Sequence, residues 1–104
     1  MKTSDLDLIC GLPGEPLVRQ GLADLQSGKP TAPAWLVSIA RARLGNAGLL
    51  DASTPAAPEP ELQLYRLLRR EGGDAYSRYN SLLRELISFE QALDRRISRR
   101  SNKN

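Results

Sequence analysis

The sequence predicts an all-α protein, a small four-helix domain made of two helical hairpins with a long C-terminal helix. Leu is abundant, while one Phe, one Trp and three Tyr occur among 104 residues. That mix, together with few β-branched residues, favours helix over sheet. Gly and Pro divide the chain into segments of helical length. The run at residues 74–98 contains neither and carries apolar residues at helical spacing.

The segment at residues 74–98 is expected to be the element against which the rest of the chain folds. Its seam of one helical face comprises Tyr76, Tyr79, Leu83, Leu86, Leu93 and Ile97, with Glu90 at the skipped position. Leu82, Ile87 and Phe89 widen this stripe, which suits a core-facing helix. Asp74 is expected to cap the helix. A helix of this length would be roughly 37 Å long and would project from a chain of this size.

Three shorter helices are predicted at residues 15–27, 33–44 and 60–71. Pro16 fits a first helical turn, and Gly28 fits the position just after a helix end. Thr31 is the expected cap of the second helix, which Gly45 and Asn46 should end. Gly21 lowers the propensity of the first helix but would allow close packing of a neighbour.

The domain prediction is one all-α domain over residues 1–104, with three less regular parts. Residues 1–14 are expected to be irregular, with a small apolar patch formed by Leu6, Leu8, Ile9 and Leu12. Residues 48–60 read as a Pro-rich linker between the two hairpins. Residues 99–104 read as a basic disordered tail.

Charge and cysteine content predict the compartment. The net charge is +3, but the last ten residues carry five basic side chains and no acid. Cys10 is the single cysteine, so no disulfide can form within the chain, which favours a reducing cytoplasm. The N-terminus lacks the order of a signal peptide, and no apolar run approaches the length that spans a bilayer. We expect a cytoplasmic protein without a membrane partner.

The composition argues against an enzyme and against a bound cofactor. No His is present, which removes the commonest general base and the commonest metal ligand. With one Cys, a metal site of ordinary ligand type cannot be built. Neither of the familiar Gly-rich phosphate-binding motifs occurs. We predict no catalytic residues, no metal and no cofactor.

One aromatic and polar cluster is the candidate site for a ligand or partner. Tyr76, Arg78, Tyr79 and Asn80 lie in the first two turns of the long helix, and Tyr76, Tyr79 and Asn80 share a face. The alternative is that both tyrosines pack in the core with their hydroxyls on backbone acceptors.

A resemblance rests on this cluster and a second string. The string Ser77-Arg78-Tyr79-Asn80, with Ser88-Phe89-Glu90 further on, resembles a group of short uncharacterised bacterial all-α proteins. The likeness covers most of the chain from Gly21 onward. It implies a helical protein and brings no assigned activity.

The basic end of the chain is the candidate site for nucleic acid. Its side chains are Arg95, Arg96, Arg99, Arg100 and Lys103. They could contact phosphates, or they could be a solvated helix end where cations favour the dipole. A helix-turn-helix over residues 16–44 is a further candidate, but its second helix would expose few base-reading side chains beyond Ser38, Arg41 and Arg43.

The predicted function is a non-enzymatic protein–protein interaction module that self-associates, as a homodimer, through the long helix. The alternative is a small nucleic-acid-binding accessory protein that uses residues 95–103. The sequence does not identify the protein partner.

Overall fold

The computed structural model describes residues 7–51 and 58–101, with side chains described up to residue 99. Within these ranges there are five helices and no strand: α1 (Glu15–Gln26), α2 (Ala32–Ile39), α3 (Arg41–Asn46), α4 (Pro60–Glu71) and α5 (Ala75–Ser101). The predicted all-α class and the long C-terminal helix are confirmed. The described residues form five helices rather than the four predicted. Residues 52–57, the middle of the predicted Pro-rich linker, lie outside the described ranges.

Helix α1 begins and ends where its local sequence indicates. Pro16 lies in its first turn, where a missing N–H costs no hydrogen bond. At the other end the Lys29 N–H donates to the Asp24 carbonyl at 2.8 Å, and the Gly28 N–H donates to the Leu25 carbonyl at 3.1 Å. This is a Schellman motif, with Gly28 at φ 73°. The predicted stop at Gly28 is confirmed.

The predicted second helix is interrupted at Ala40. Thr31 caps its start as predicted, since its hydroxyl accepts from the Ala34 N–H at 3.3 Å. Ala40, at φ −90° and ψ 15°, separates α2 from α3. The Ser38 hydroxyl donates to the Ala34 carbonyl at 3.0 Å, and such bonding to the preceding turn bends helices. The expectation of one continuous helix over residues 33–44 is therefore wrong.

Helix α3 also ends later than predicted. Gly45 and Asn46 were the expected stop, but both are helical. The chain turns instead at Gly48, which has φ 80°. The Leu49 N–H donates to the Leu44 carbonyl at 2.9 Å, and both leucine side chains are fully buried. A second Schellman motif with its apolar contact thus overrides the first Gly in the sequence.

Helices α4 and α5 are separated by a short turn. Helix α4 has the predicted bounds, and α5 is capped by Asp74 as predicted. The Ser77 N–H donates to Asp74 Oδ1 at 3.1 Å, and the Ser77 hydroxyl donates to Oδ2 at 2.8 Å. Helix α5 continues to Ser101. Residues 99–101, predicted as part of a disordered tail, are therefore helical, because no Gly or Pro ends the segment.

The buried face of α5 differs from the predicted seam. Leu86, Phe89 and Leu93 are buried, and Phe89 is fully so. Tyr76, which was expected to begin the seam, is 66% exposed. The buried stripe is rotated toward Phe89 because the neighbouring elements cover that side of α5. The spacing of apolar residues within α5 does not specify which side is covered.

The N-terminal turns join the main core. Leu8, Ile9 and Leu12, three residues of the predicted apolar patch, are buried and belong to the same cluster as the helices. Leu6 lies outside the described residues. The Arg96 guanidinium of α5 donates from Nη1 to the carbonyls of Leu8 at 2.9 Å and Cys10 at 2.7 Å. These bonds tie the turns to the far end of the long helix.

Helix α2 is the centre of the packing. It contacts each of the other four helices, and its Leu36 and Val37 are almost fully buried. Helix α5 contacts α4 and α2. The expectation that the chain folds against α5 is therefore wrong. Because α2 also packs on α4, contacts cross the predicted division, and the arrangement as two hairpins is not established.

Helix α5 sets the shape of the molecule. The molecule measures 50 × 27 × 19 Å. The helix has 27 residues, or about 40 Å at 1.5 Å per residue. A helix of this length fits only along the 50 Å dimension of the molecule. The body covers one side of α5, and another side stays in solvent.

Candidate functional site

The exposed side of α5 carries a second apolar row, which meets the buried face at Leu83. Tyr76 is 66% exposed and Ile87 is 50% exposed, while Leu83 between them is half-buried. With the half-buried Asn80 they follow steps of four, three and four residues, which places them on one face. We call Tyr76, Asn80, Leu83 and Ile87 the apolar row. Large apolar side chains left in water are typical of a contact surface when they are grouped.

The predicted ligand cluster does not come together as a pocket. Tyr79 packs edge-to-face on Tyr65 of α4, with ring centroids 5.6 Å apart and planes at 88°. Tyr76 points into solvent instead. Arg78 donates to Glu71 at 2.9 Å and to the Gly72 carbonyl at 3.5 Å.

A shallow cleft of about 280 Å³ lies beside these residues. It is lined by Ser77, Arg78, Ser81 and Leu82. Of the four predicted site residues, Tyr76, Arg78, Tyr79 and Asn80, Arg78 lines this cleft and the others do not. Arg78 already bonds Glu71, so the arrangement holds the turn between α4 and α5 rather than a ligand.

The predicted nucleic-acid residues divide into separate groups. Arg95 and Arg99 are exposed, one helical turn apart. Arg96 is half-buried on the N-terminal carbonyls and has a structural role. The Arg100 side chain and all of Lys103 lie outside the described residues.

The candidate helix-turn-helix lacks a helix that could read bases. Ser38, expected to be exposed, is buried at 8%. Helix α2 ends one residue later, before Arg41 and Arg43. Arg43 is turned to α5 and is engaged there, so the three side chains do not share one exposed helical face.

A charged cleft between α3 and α5 was not predicted. Arg43 forms an ion pair with Glu90 at 3.2 Å and a second one with Asp94. The pKa of Arg43 is raised, first by its hydrogen bond to Asp94 and then by the negative charge of that carboxylate. The cleft has a volume of about 570 Å³ and an apolar wall that includes Ile39 and Ile97. The sequence signal was Glu90, the polar residue at an otherwise apolar position.

A buried polar bridge joins α1 to the start of α2 and was also missed. Asp24 is 5% exposed. It accepts from the Thr31 hydroxyl at 2.6 Å and from Gln20 Nε2 at 2.8 Å. These two hydrogen bonds, Thr31 first, lower the pKa of Asp24. The bridge has its partners within the fold, so it fixes the α1–α2 turn rather than offering a free carboxylate.

Among the described residues, the buried polar side-chain atoms all form hydrogen bonds. Every buried side-chain nitrogen or oxygen in residues 7–51 and 58–99 has a partner. Over the same ranges, no three potential metal-binding side chains cluster. None of the helices described is both long and apolar enough to cross a bilayer.

Comparisons with protein-family models, with curated proteins and with solved structures found no match to this chain. The resemblance to short bacterial proteins therefore stays a prediction, and the chemistry of the surface is the basis for function.

Proposed function

We propose that the protein is a non-enzymatic interaction module whose partner is a second copy of itself, met along the apolar row of α5. The supporting observation is the exposure of Tyr76 and Ile87 on a helix whose other face is already buried in the core. A surface helix that packs in its own domain needs one apolar face. The second row has no covering element among the described residues.

The spacing of the row favours a helix-to-helix contact. Steps of four, three and four residues are those of a and d positions in a coiled coil. Asn80 occupies one position of this row. A polar Asn in such a row lowers affinity but favours one register, because the Asn side chains of the two copies can then form hydrogen bonds with each other.

The same row predicts weak association. It includes three apolar side chains, one of them half-buried. The area that these side chains can bury is smaller than the roughly 800 Å² per partner of a stable complex. Beyond Ile87 the row continues into Glu90 and Asp94, and both carboxylates are held by Arg43. We expect a Kd on the order of 0.1–1 mM.

Sedimentation equilibrium tests this proposal. The wild-type chain should shift from monomer to dimer as its concentration rises to about 1 mM. Ile87→Glu should keep it monomeric, because a carboxylate would be buried in the contact. The matched control is Leu62→Glu, which adds the same charge at a side chain 40% exposed on α4. A wild-type chain that stays monomeric, or equal loss in both variants, contradicts the proposal.

The second candidate function is nucleic-acid binding by the basic end of the chain. Arg95 and Arg99 support it, because both are exposed and no described acid pairs with them. The pair lies at i and i+4, where like charges repel by about 0.2–0.5 kcal/mol. Binding to mixed DNA and RNA at low salt, with and without residues 95–104, tests it. No binding by the intact chain contradicts it.

A further inference from the structure

The solvent side of α5 carries a continuous polar row beside the apolar one. Its members recur at steps of three and four residues, and all are exposed: Ser81, Arg84, Ser88, Gln91, Arg95 and Ser98. We call this set the polar stripe. It covers roughly 26 Å at 1.5 Å per residue. Arg99 is exposed one turn after Arg95 and extends it.

The arginines of the stripe differ from others in the molecule. Arg43 and Arg78 pair with carboxylates, and Arg96 donates to backbone carbonyls. By contrast, Arg84, Arg95 and Arg99 are exposed, and no described acid forms an ion pair with them.

The position of Arg84 separates this stripe from an ordinary helix end. Cations near a helix C-terminus are stabilised by the helix dipole, but the effect falls off within the last turn. Arg84 lies near the middle of α5, which runs from Ala75 to Ser101. The dipole therefore does not account for a cation at this position.

We propose that the polar stripe binds double-stranded DNA, with Arg84, Arg95 and Arg99 on phosphates. Arg, Ser and Gln side chains are typical donors to phosphate oxygens and sugars. This proposal extends the second candidate function from the tail to the body of the helix. It is independent of self-association through the apolar row.

The form of the stripe favours duplex DNA over other nucleic acids. A long helix fits the major groove of B-form DNA, which is about 12 Å wide. The major groove of an RNA helix is too deep and narrow for such entry. Single strands are held largely by stacking on aromatic side chains, and the stripe contains none.

Fluorescence anisotropy with a labelled mixed-sequence duplex, measured over a salt series, tests the proposal. The full-length chain is compared with three variants that each remove two positive charges. The stripe variant is Arg84→Gln with Arg95→Gln. The body control is Arg66→Gln with Arg69→Gln, both exposed on α4. The tail variant is Arg100→Gln with Lys103→Gln. Matching melting temperatures establish that all three variants fold.

The stripe variant should bind about tenfold more weakly at low salt, and its log–log salt slope should fall by about 1.8, or 0.9 per phosphate contact. The body control should lose less than half as much in both quantities.

Four results would overturn the proposal. They are the absence of duplex binding by the intact chain, equal losses in the stripe variant and the body control, and losses confined to the tail variant. The fourth is stripe-dependent binding to phosphatidylglycerol vesicles without duplex binding. Losses confined to the tail variant would leave the second candidate function standing.

Discussion

Gly21 sets the distance between α1 and α2. It is buried, and a Cβ added there would lie 2.8 Å from the Pro33 carbonyl carbon, with closer approaches to its oxygen and to a Val37 methyl. The backbone of α2 cannot yield as a flexible side chain would. The absence of a side chain therefore lets the central helix approach α1.

We expect Gly21→Ala to destabilise the protein by about 1–3 kcal/mol through overpacking, although Ala is the better helix former. Urea denaturation measures the difference. The control is Gly45→Ala in α3, where a Cβ would meet nothing within 4 Å. That change should be neutral or stabilising by up to about 1 kcal/mol. Equal effects of the two substitutions would contradict the close packing.

Arg96 and Arg95 are neighbours in sequence with different roles. Arg96→Met removes the two hydrogen bonds to Leu8 and Cys10 and should cost about 1.5–3 kcal/mol, because hydrogen bonds to charged groups contribute in that range. Arg95→Met at an exposed site should change stability by less than about 0.5 kcal/mol. Chemical denaturation of both variants decides the point, and equal midpoints would contradict the structural role of Arg96.

At the scale of elements, three carboxylates make stability dependent on pH. The pKa values of Asp24, Asp74 and Glu15 are each lowered by hydrogen bonds, from Thr31, Ser77 and Gly11 respectively. The folded state thus holds protons less tightly at these groups than the unfolded chain does. Their contribution is present above the ordinary values of 3.8 for Asp and 4.5 for Glu. It is lost as pH falls through the lowered values.

The Asp24 bridge gives this pH dependence a specific test. Asp24→Asn removes the titrating group at the α1–α2 turn, so the variant should melt below the wild type at neutral pH. The gap should narrow as pH is lowered through 3.8 and beyond, because the wild type then loses the same charge. Thermal unfolding followed by circular dichroism from neutral to acid pH measures it. A gap that is constant with pH would show that Asp24 does not contribute through its charge.

The elements show which features a sequence can predict. Caps and stops depend on residues within one turn of each other, and Gly28, Thr31 and Asp74 were predicted for that reason. The break at Ala40 accompanies a side-chain hydrogen bond from Ser38 to the preceding turn and is not visible in apolar spacing. The charged cleft joins Arg43 to Asp94, 51 residues away, so no local pattern could specify it.

For the whole molecule, the sequence indicated the right class but the wrong centre. The longest helix seemed to be the core because it had the most apolar positions. The short helix α2 has that place because it contacts all four other helices. Helix α5 then has more apolar surface than the body covers. The candidate interaction surface is this uncovered apolar surface. It includes Tyr76 because Phe89, rather than Tyr76, lies in the core.

The contact between copies along the apolar row of α5 can be tested by one experiment on the intact, isotope-labelled chain. Amide chemical shifts are recorded by two-dimensional NMR from low concentration to about 1 mM. If α5 is the contact between copies, concentration-dependent shifts should be confined to the turns around Tyr76, Leu83 and Ile87. Spectra that do not change with concentration, or shifts that map to α1 and the outer side of α4, would contradict the assignment of α5 as the interaction surface.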